Sequence, residues 1–224
     1  MAQSNIEKTR INNNLPVARE GLPFIIPGLI ITIFLFYAGI ISISILTGLI
    51  TLFTIYFFRD PDRDTPVEKD ALLSPADGTV LDIRHLEDSS NLLGGPALKI
   101  SIFMSVFNVH VNRIPVKGRI STIRYNPGKF FSANLDKASE QNENNRIILD
   151  TEDGHRIVFV QIAGLIARRI ACWVKEDDPV NAGQRFGLIR FGSRVDIYLP
   201  PESRISIRPK EKVKAGSTII GYLP

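Results

Sequence analysis

From Leu22 to Phe58 the chain runs for 37 residues without a charged side chain. As one straight helix that run would be about 55 Å long, far beyond a hydrocarbon core of roughly 30 Å. Two shorter helices fit better, with a bend near Ala38-Gly39 or within Ser42 to Ser44. Lys8, Arg10 and Arg19 precede the run, and Arg59, Arg63 and Lys69 follow it. Basic residues at both ends place both ends in the cytoplasm, as a hairpin requires. A re-entrant or core-buried hairpin satisfies the same pattern. A cleaved signal peptide does not, because the run is too long and lacks a small-residue cleavage site. The expected organisation is a cytoplasmic segment at 1–21, a membrane hairpin at 22–58, a linker at 59–72 and a domain at 73–224. That domain would work at the cell membrane, on its cytoplasmic face.

Beyond Arg59 the character changes. Asp60-Pro61-Asp62-Arg63-Asp64-Thr65-Pro66 reads as a polar linker. Thr79 to Ile83, Leu98 to Phe103, Arg146 to Asp150 and Arg156 to Val160 are short β-branched runs, and Asp153-Gly154 signals a hairpin between the last two. The segment from Phe131 to Asn145 reads as a loop or short helix, and Ile162 to Ile170 as a short helix or bent strand. Val180-Asn181-Ala182-Gly183 and Val213-Lys214-Ala215-Gly216 form a weak repeat, and Ser74 to Val80 resembles the opening turn of the same unit. The expected fold is mainly β, a barrel-sandwich-like domain behind the apolar hairpin.

The net charge of +4 suits a surface facing anionic lipid. It is too small to indicate nucleic acid, and no nucleic-acid motif accompanies it. Cys172 is the sole cysteine, which rules out an intrachain disulfide or a cysteine zinc cluster. The three histidines are far apart in sequence, so no metal site is expected. His85 and His155 border polar turns and read as surface residues.

Gly192-Ser193 stands between two strand-like runs, Arg185 to Phe191 and Arg194 to Leu199. A serine hydroxyl in such a step can attack the preceding carbonyl and move the chain from nitrogen to oxygen. Elimination then yields dehydroalanine, and loss of ammonia leaves a pyruvoyl ketone, an electron sink. Gly216-Ser217 is a second such pair, but Ser217 falls where Gln184 sits in the other repeat copy, in a turn. A serine needs a base to take its proton, a task for which a histidine is suited.

Three segments, Leu73 to Gly78, Phe103 to Gly118 and the Gly192-Ser193 run, stand in that order behind an apolar N-terminal segment. Together they resemble the short, membrane-attached form of the phosphatidylserine decarboxylases, from about Leu73 to the C-terminus. The resemblance implies a proenzyme that cuts itself between Gly192 and Ser193. The products would be a β chain, 1–192, and an α chain, 193–224, held as a heterodimer with or without further oligomerisation. Ser193 would become the covalent pyruvoyl cofactor, with no metal. Asp77, His110 and Ser193 match the family's Asp-His-Ser arrangement. Asp77 would fix the imidazole tautomer, and His110 would serve as base and as a proton donor after decarboxylation. The substrate would be phosphatidylserine in the membrane, whose amine forms a Schiff base on the ketone, and the products CO2 and phosphatidylethanolamine in phospholipid biosynthesis. Arg113, Lys117, Arg168 and Arg169 are candidate partners for the lipid phosphate. The chain departs from the long-form Leu-Gly-Ser-Thr pattern by carrying Phe191-Gly192-Ser193-Arg194.

Two other readings stay open on the residues. A membrane-anchored barrel-sandwich carrier or adaptor module shares the repeat grammar, although Lys175 and Lys214 lack a carrier tripeptide. A decarboxylase of another serine-headgroup lipid, such as archaetidylserine, would carry the same chemistry.

Overall fold

The computed structural model describes residues 11–87, 92–129, 131–132, 141–164, 169–190 and 192–224. The apolar run forms two helices, α1 (Leu22–Tyr37) and α2 (Ile41–Phe57), entered through a 3-10 turn at Arg19–Gly21. At 1.5 Å per residue they are about 24 and 26 Å long. They part at Gly39, whose φ of 77° is a left-handed conformation that glycine adopts without cost. Small residues let them approach closely. A side chain at Gly28 would collide with Thr51, the Thr32 hydroxyl meets that of Thr47 at 3.1 Å, and Ser44 donates to the Thr32 carbonyl. Outward faces stay bare: Ile30, Phe34, Leu49 and Leu52 are between 61% and 68% exposed. The stretch Arg19–Tyr37 is long and apolar enough to cross a bilayer.

Both ends of the hairpin are stitched together. Val17 bridges Arg59, Ala18 N–H donates to the Phe58 carbonyl, and Asp60 N–H donates to the Pro16 carbonyl. This pairing holds the two flanks of the hairpin together. The segment expected to be a linker is pinned down. Asp60 and Asp62 bind Arg185, Arg63 binds Asp77, and the Pro61 carbonyl accepts from Arg113.

The rest is β. In chain order the strands are β1 (Ala71–Leu73), β2 (Gly78–Leu86), β3 (Ala97–Met104), β4 (Val111–Arg113), β5 (Gly118–Asn126), β6 (Asn144–Asp150), β7 (Arg156–Ala163), β8 (Ile170–Cys172), β9 (Pro179–Val180), β10 (Arg185–Ile189), β11 (Ser193–Leu199), β12 (Arg204–Ile205), β13 (Lys212–Val213) and β14 (Ile219–Tyr222). Eight form a curled half-barrel sheet in the order β13-β2-β3-β11-β7-β6-β5-β9. Two small sheets, β1-β14-β12 and β4-β10-β8, complete the domain. The order is nearly symmetric about the centre, since β13-β2-β3 on one side mirrors β9-β5-β6 on the other. The repeat seen in sequence is the trace of this: Gly183 and Gly216 both have positive φ, and a side chain at Gly216 would lie 3.3 Å from the Gly183 Cα. All four sequence-predicted strands fall within β2, β3, β6 and β7, and Gly154 turns the β6–β7 hairpin with φ 85°. Residues 165–168 and 133–140, parts of the two ambiguous segments, lie outside the described residues. Cys172 is half-buried.

Central strands are covered on both faces, so β11 is buried along its whole length. Alternation sends Val195, Ile197 and Leu199 into the main core with Ile100, Ile102 and Phe159. Arg194 and Asp196 face the other way. There Arg194 forms a two-point ion pair with Asp196 and donates to the Ser101 hydroxyl at 2.9 Å, while Lys99 reaches Asp196 at 3.1 Å. The residue that departs from the long-form pattern thus points away from Ser193 and locks β11 to β3. Breaking a buried pair from one side strands a charge. Arg194→Met is therefore expected to cost about 3 kcal/mol, read as a lowered thermal midpoint by circular dichroism in detergent. Arg194→Met combined with Asp196→Leu should recover part of that loss.

Candidate active site

Ser193 begins β11 at the centre of the large sheet. It pairs with Met104 of β3 on one side and Ala163 of β7 on the other. Its side chain lies on the core face and is fully buried, with the hydroxyl 3.4 Å from the Met104 sulfur. A thioether is a weak acceptor, so this contact does not commit the hydroxyl proton to a strong partner. Gly192 carries φ 60°, and nothing lies within 4 Å of where its Cβ would be. The strand thus starts from a bend that any other L-residue would strain.

His110 immediately precedes β4, and its carbonyl accepts a long bond of 3.4 Å from the Ile189 N–H. Ile189 ends β10, four positions before Ser193, so the β4–β10 pairing ties His110 to the strand that leads into β11. The imidazole is fully buried. Nδ1 lies 3.0 Å from the Asn108 carbonyl, which can only accept, so Nδ1 carries the proton. Nε2 is then a bare lone pair, and it has no hydrogen-bond partner among the described residues. Burial drives the His110 pKa down to about 4. The Asn108 carbonyl pulls the other way, and the Arg59 charge adds a smaller lowering.

Asp77 lies in the turn before β2. One carboxylate oxygen accepts from the Ala215 N–H at 2.8 Å and the other from Arg63 at 2.9 Å. It makes no hydrogen bond to His110 among the described residues. The tautomer-fixing contact expected of Asp77 is supplied by the Asn108 carbonyl. Asp77 instead ties its turn to the 213–216 turn, where Ser217 closes an ordinary turn by donating to the Lys214 carbonyl.

The basic candidates separate. Arg113 is buried and spent on the Gly183 and Pro61 carbonyls and on Asp60, and burial lowers its pKa to about 10. Lys117 pairs with Glu152 at 2.8 Å, beside the β6–β7 hairpin. That hairpin is the opposite end of β7 from Ala163, so Lys117 is about 20 Å along the strand from Ser193. Arg168 lies outside the described residues. Arg169 is exposed, and its carbonyl accepts from Arg190 N–H at 3.3 Å. Arg190, which the sequence reading passed over, stands three residues before Ser193 with its guanidinium 5.3 Å from the centroid of the Phe24 ring in α1. Burial, then the nearby Arg169 charge, lowers its pKa. Its only sequence signal was proximity to the Gly-Ser step. His85 is exposed and His155 half-buried, both away from this region. Among the described residues, no three His, Cys, Asp or Glu side chains are grouped to hold a metal.

A depressed histidine pKa makes stability pH-dependent. Between about pH 6.5 and 4 the unfolded chain binds a proton on His110 that the native chain refuses. Its stabilising effect is complete above the unfolded pKa and is lost as pH falls through that window, by about 3 kcal/mol in all. Thermal midpoints of the native chain should therefore drop from pH 6.5 to 4, and His110→Gln should remove most of that extra slope.

Comparison with known proteins identifies the family. Residues 50–221 match the family model described as phosphatidylserine decarboxylase. The phosphatidylserine decarboxylase proenzyme of Syntrophus aciditrophicus is 53% identical, covering 92% of this chain and 96% of that protein. That of Desulfotalea psychrophila is 50% identical over 93% and 97%, and that of Pelobacter propionicus 46% identical over 95% and 99%. With near-complete coverage on both sides, the chain belongs to the phosphatidylserine decarboxylase family.

Proposed function

We propose that the chain is a proenzyme that cuts itself between Gly192 and Ser193 and then removes CO2 from phosphatidylserine, leaving phosphatidylethanolamine. The observation that carries this reading is the state of His110: neutral, held by Asn108 through Nδ1–H, and with Nε2 free to take a proton. In the cut, Nε2 accepts the Ser193 hydroxyl proton as Oγ bonds to the Gly192 carbonyl carbon. The C–N bond breaks, the serine nitrogen takes the proton, and an ester joins Gly192 to Oγ. Removal of the Ser193 Cα proton then expels the Gly192 carboxylate and leaves dehydroalanine. Tautomerisation and addition of one water release ammonia and leave a ketone at residue 193. Ser193 fits that fate, since it sits at a strand end with Gly192 open on one side. When formed, the pyruvoyl group supplies the electron sink for loss of CO2 from the serine headgroup.

The fold explains how the cut chains stay together. Residues 193–198 pair with both β3 and β7, so the 32-residue α segment keeps its place as the sheet's central strand. β14 adds a second tie between β1 and β12. Asp77 enters as a clasp, since its bond to Ala215 N–H joins the two products. The apolar hairpin sets the domain at the cytoplasmic face of the cell membrane, which spares the cost of extracting a two-chain lipid. Arg190, whose guanidinium lies over Phe24 of α1, and Arg169 next to it are the cations assigned here to the lipid phosphate.

Denaturing mass spectrometry checks the cut. Two fragments are expected, the smaller of 32 residues, lacking a free α-amine and reacting with hydroxylamine. Ser193→Ala should remain whole and inactive, whereas Ser217→Ala should be processed normally; an uncut Ser217→Ala with a cut Ser193→Ala refutes the assignment. Arg190→Ala should still self-cleave but raise KM for phosphatidylserine vesicles about tenfold, as loss of one charge-assisted phosphate contact predicts.

A further inference from the structure

The element that closes over His110 is the end of the apolar hairpin. The Phe57 ring centroid lies 4.2 Å from that of the imidazole. Phe57 and Phe58 share one apolar cluster with Val109, Val111, Trp173 and Leu188. Just past the helix, Arg59 folds back. Its Nη1 donates to the Tyr56 carbonyl at 2.8 Å, and its Nη2 donates to the Phe107 carbonyl at 2.7 Å. The Tyr56 hydroxyl donates to that same carbonyl at 3.1 Å, and the guanidinium lies 4.0 Å above the Tyr56 ring.

This carbonyl belongs to the turn that presents His110. The turn joins β3 to β4 and is pinned from within by Asn108, whose side-chain oxygen accepts from both the N–H and the hydroxyl of Ser105. The Phe107 side chain is 64% exposed, so its packing does not hold the turn. Two donors from the hairpin do. The next carbonyl along the chain, that of Asn108, is the one that binds His110 Nδ1–H.

We propose that Arg59 is a positioning residue for His110, acting through the Phe107 carbonyl, so that the foot of the membrane hairpin is a working wall of the reactive centre as well as an anchor. The inference rests on the self-processing reading above. A guanidinium suits the task because its planar fork satisfies two carbonyls at once, one on the helix and one on the turn, which an ammonium cannot reproduce with the same geometry. Arg59 also places a positive charge where it opposes a second proton on the imidazole. Among the described residues it is the charged group that acts on His110, while the other faces of the ring meet Phe57 and the Asn108 carbonyl.

The test follows self-cleavage of the full chain in lipid nanodiscs across a pH series. Arg59→Ala is expected to slow cleavage at least about tenfold, the effect of one lost charged hydrogen bond. It should also move the acid limb of the rate profile to higher pH, because His110 loses an opposing charge. Arg59→Lys should keep the acid limb near its native position yet recover only part of the rate. Tyr56→Phe removes one donor and no charge, and should slow cleavage roughly threefold with the limb unmoved. A native rate in Arg59→Ala, or a slower rate with an unmoved acid limb, overturns the proposal. Should Arg59→Ala fail to fold, native rates in both Arg59→Lys and Tyr56→Phe overturn it equally. Ser193→Ala in the same assay separates the two readings. If it is cut, self-processing at this bond is wrong. If it stays whole while the Arg59 variants cleave normally, only the positioning role fails.

Discussion

The pairing of β11 with a neighbour on each edge is the constraint on which the rest of this structure depends. A strand held on both sides has no freedom to slip or rotate, because a one-residue shift would turn Val195 and Ile197 out of the core and Arg194 and Asp196 into it. That rigidity fixes the position of its first residue, the serine proposed here to be reactive. Ser193 is fixed by two ladders, while Gly192, just outside them, takes a left-handed bend with open space beside it. The scissile bond proposed for this chain thus spans the step from constrained to free backbone. The same ladders would hold the α segment after a cut, so severing the chain need not dissolve the sheet.

The polar arrangement follows from burial. His110 lies among Phe57, Val109 and Val111, where a charged imidazole would be poorly solvated, and the ring is neutral for that reason. Neutrality leaves one nitrogen to donate and one to accept, and the Asn108 carbonyl decides which. The charged groups differ in standing. Arg194 and Asp196 are paired and spent on holding β11, whereas Arg59 is shared between the helix end and the turn that carries His110. The end of the apolar hairpin and the buried histidine proposed as the base therefore meet in one cluster of side chains.

Much of the architecture was legible in the chain itself. Absence of charge from Leu22 to Phe58 dictated a bent apolar hairpin, and Gly39 marks the bend because a left-handed residue was needed there. β-Branched runs located β2, β3, β6 and β7, since period-two burial leaves a clear trace. Paired Val-x-Ala-Gly turns disclosed the pseudo-symmetry, and the motif order led to the family that the comparisons show. Ser217 was separable from Ser193 because one repeat copy carries Gln184 in its place, and the structure puts Ser217 in a turn.

Roles that depend on which side chains meet across the sequence were beyond that reading. Asp77 looked like the partner of His110, but its neighbours are Arg63 and Ala215, brought there by the folding of β2 against β13. Arg113 and Lys117 looked like phosphate ligands, but one is consumed by Gly183 and Pro61 and the other faces Glu152 at the far end of β7. Arg59, Phe57 and Asn108 carried no motif at all. Sequence alone determined periodicity, turn chemistry and the Gly-Ser step singled out as the candidate, because those are properties of neighbouring residues. The tertiary structure alone decided which nitrogen of His110 is bare and which of the candidate cations are already paired, because those depend on contacts between segments tens of residues apart.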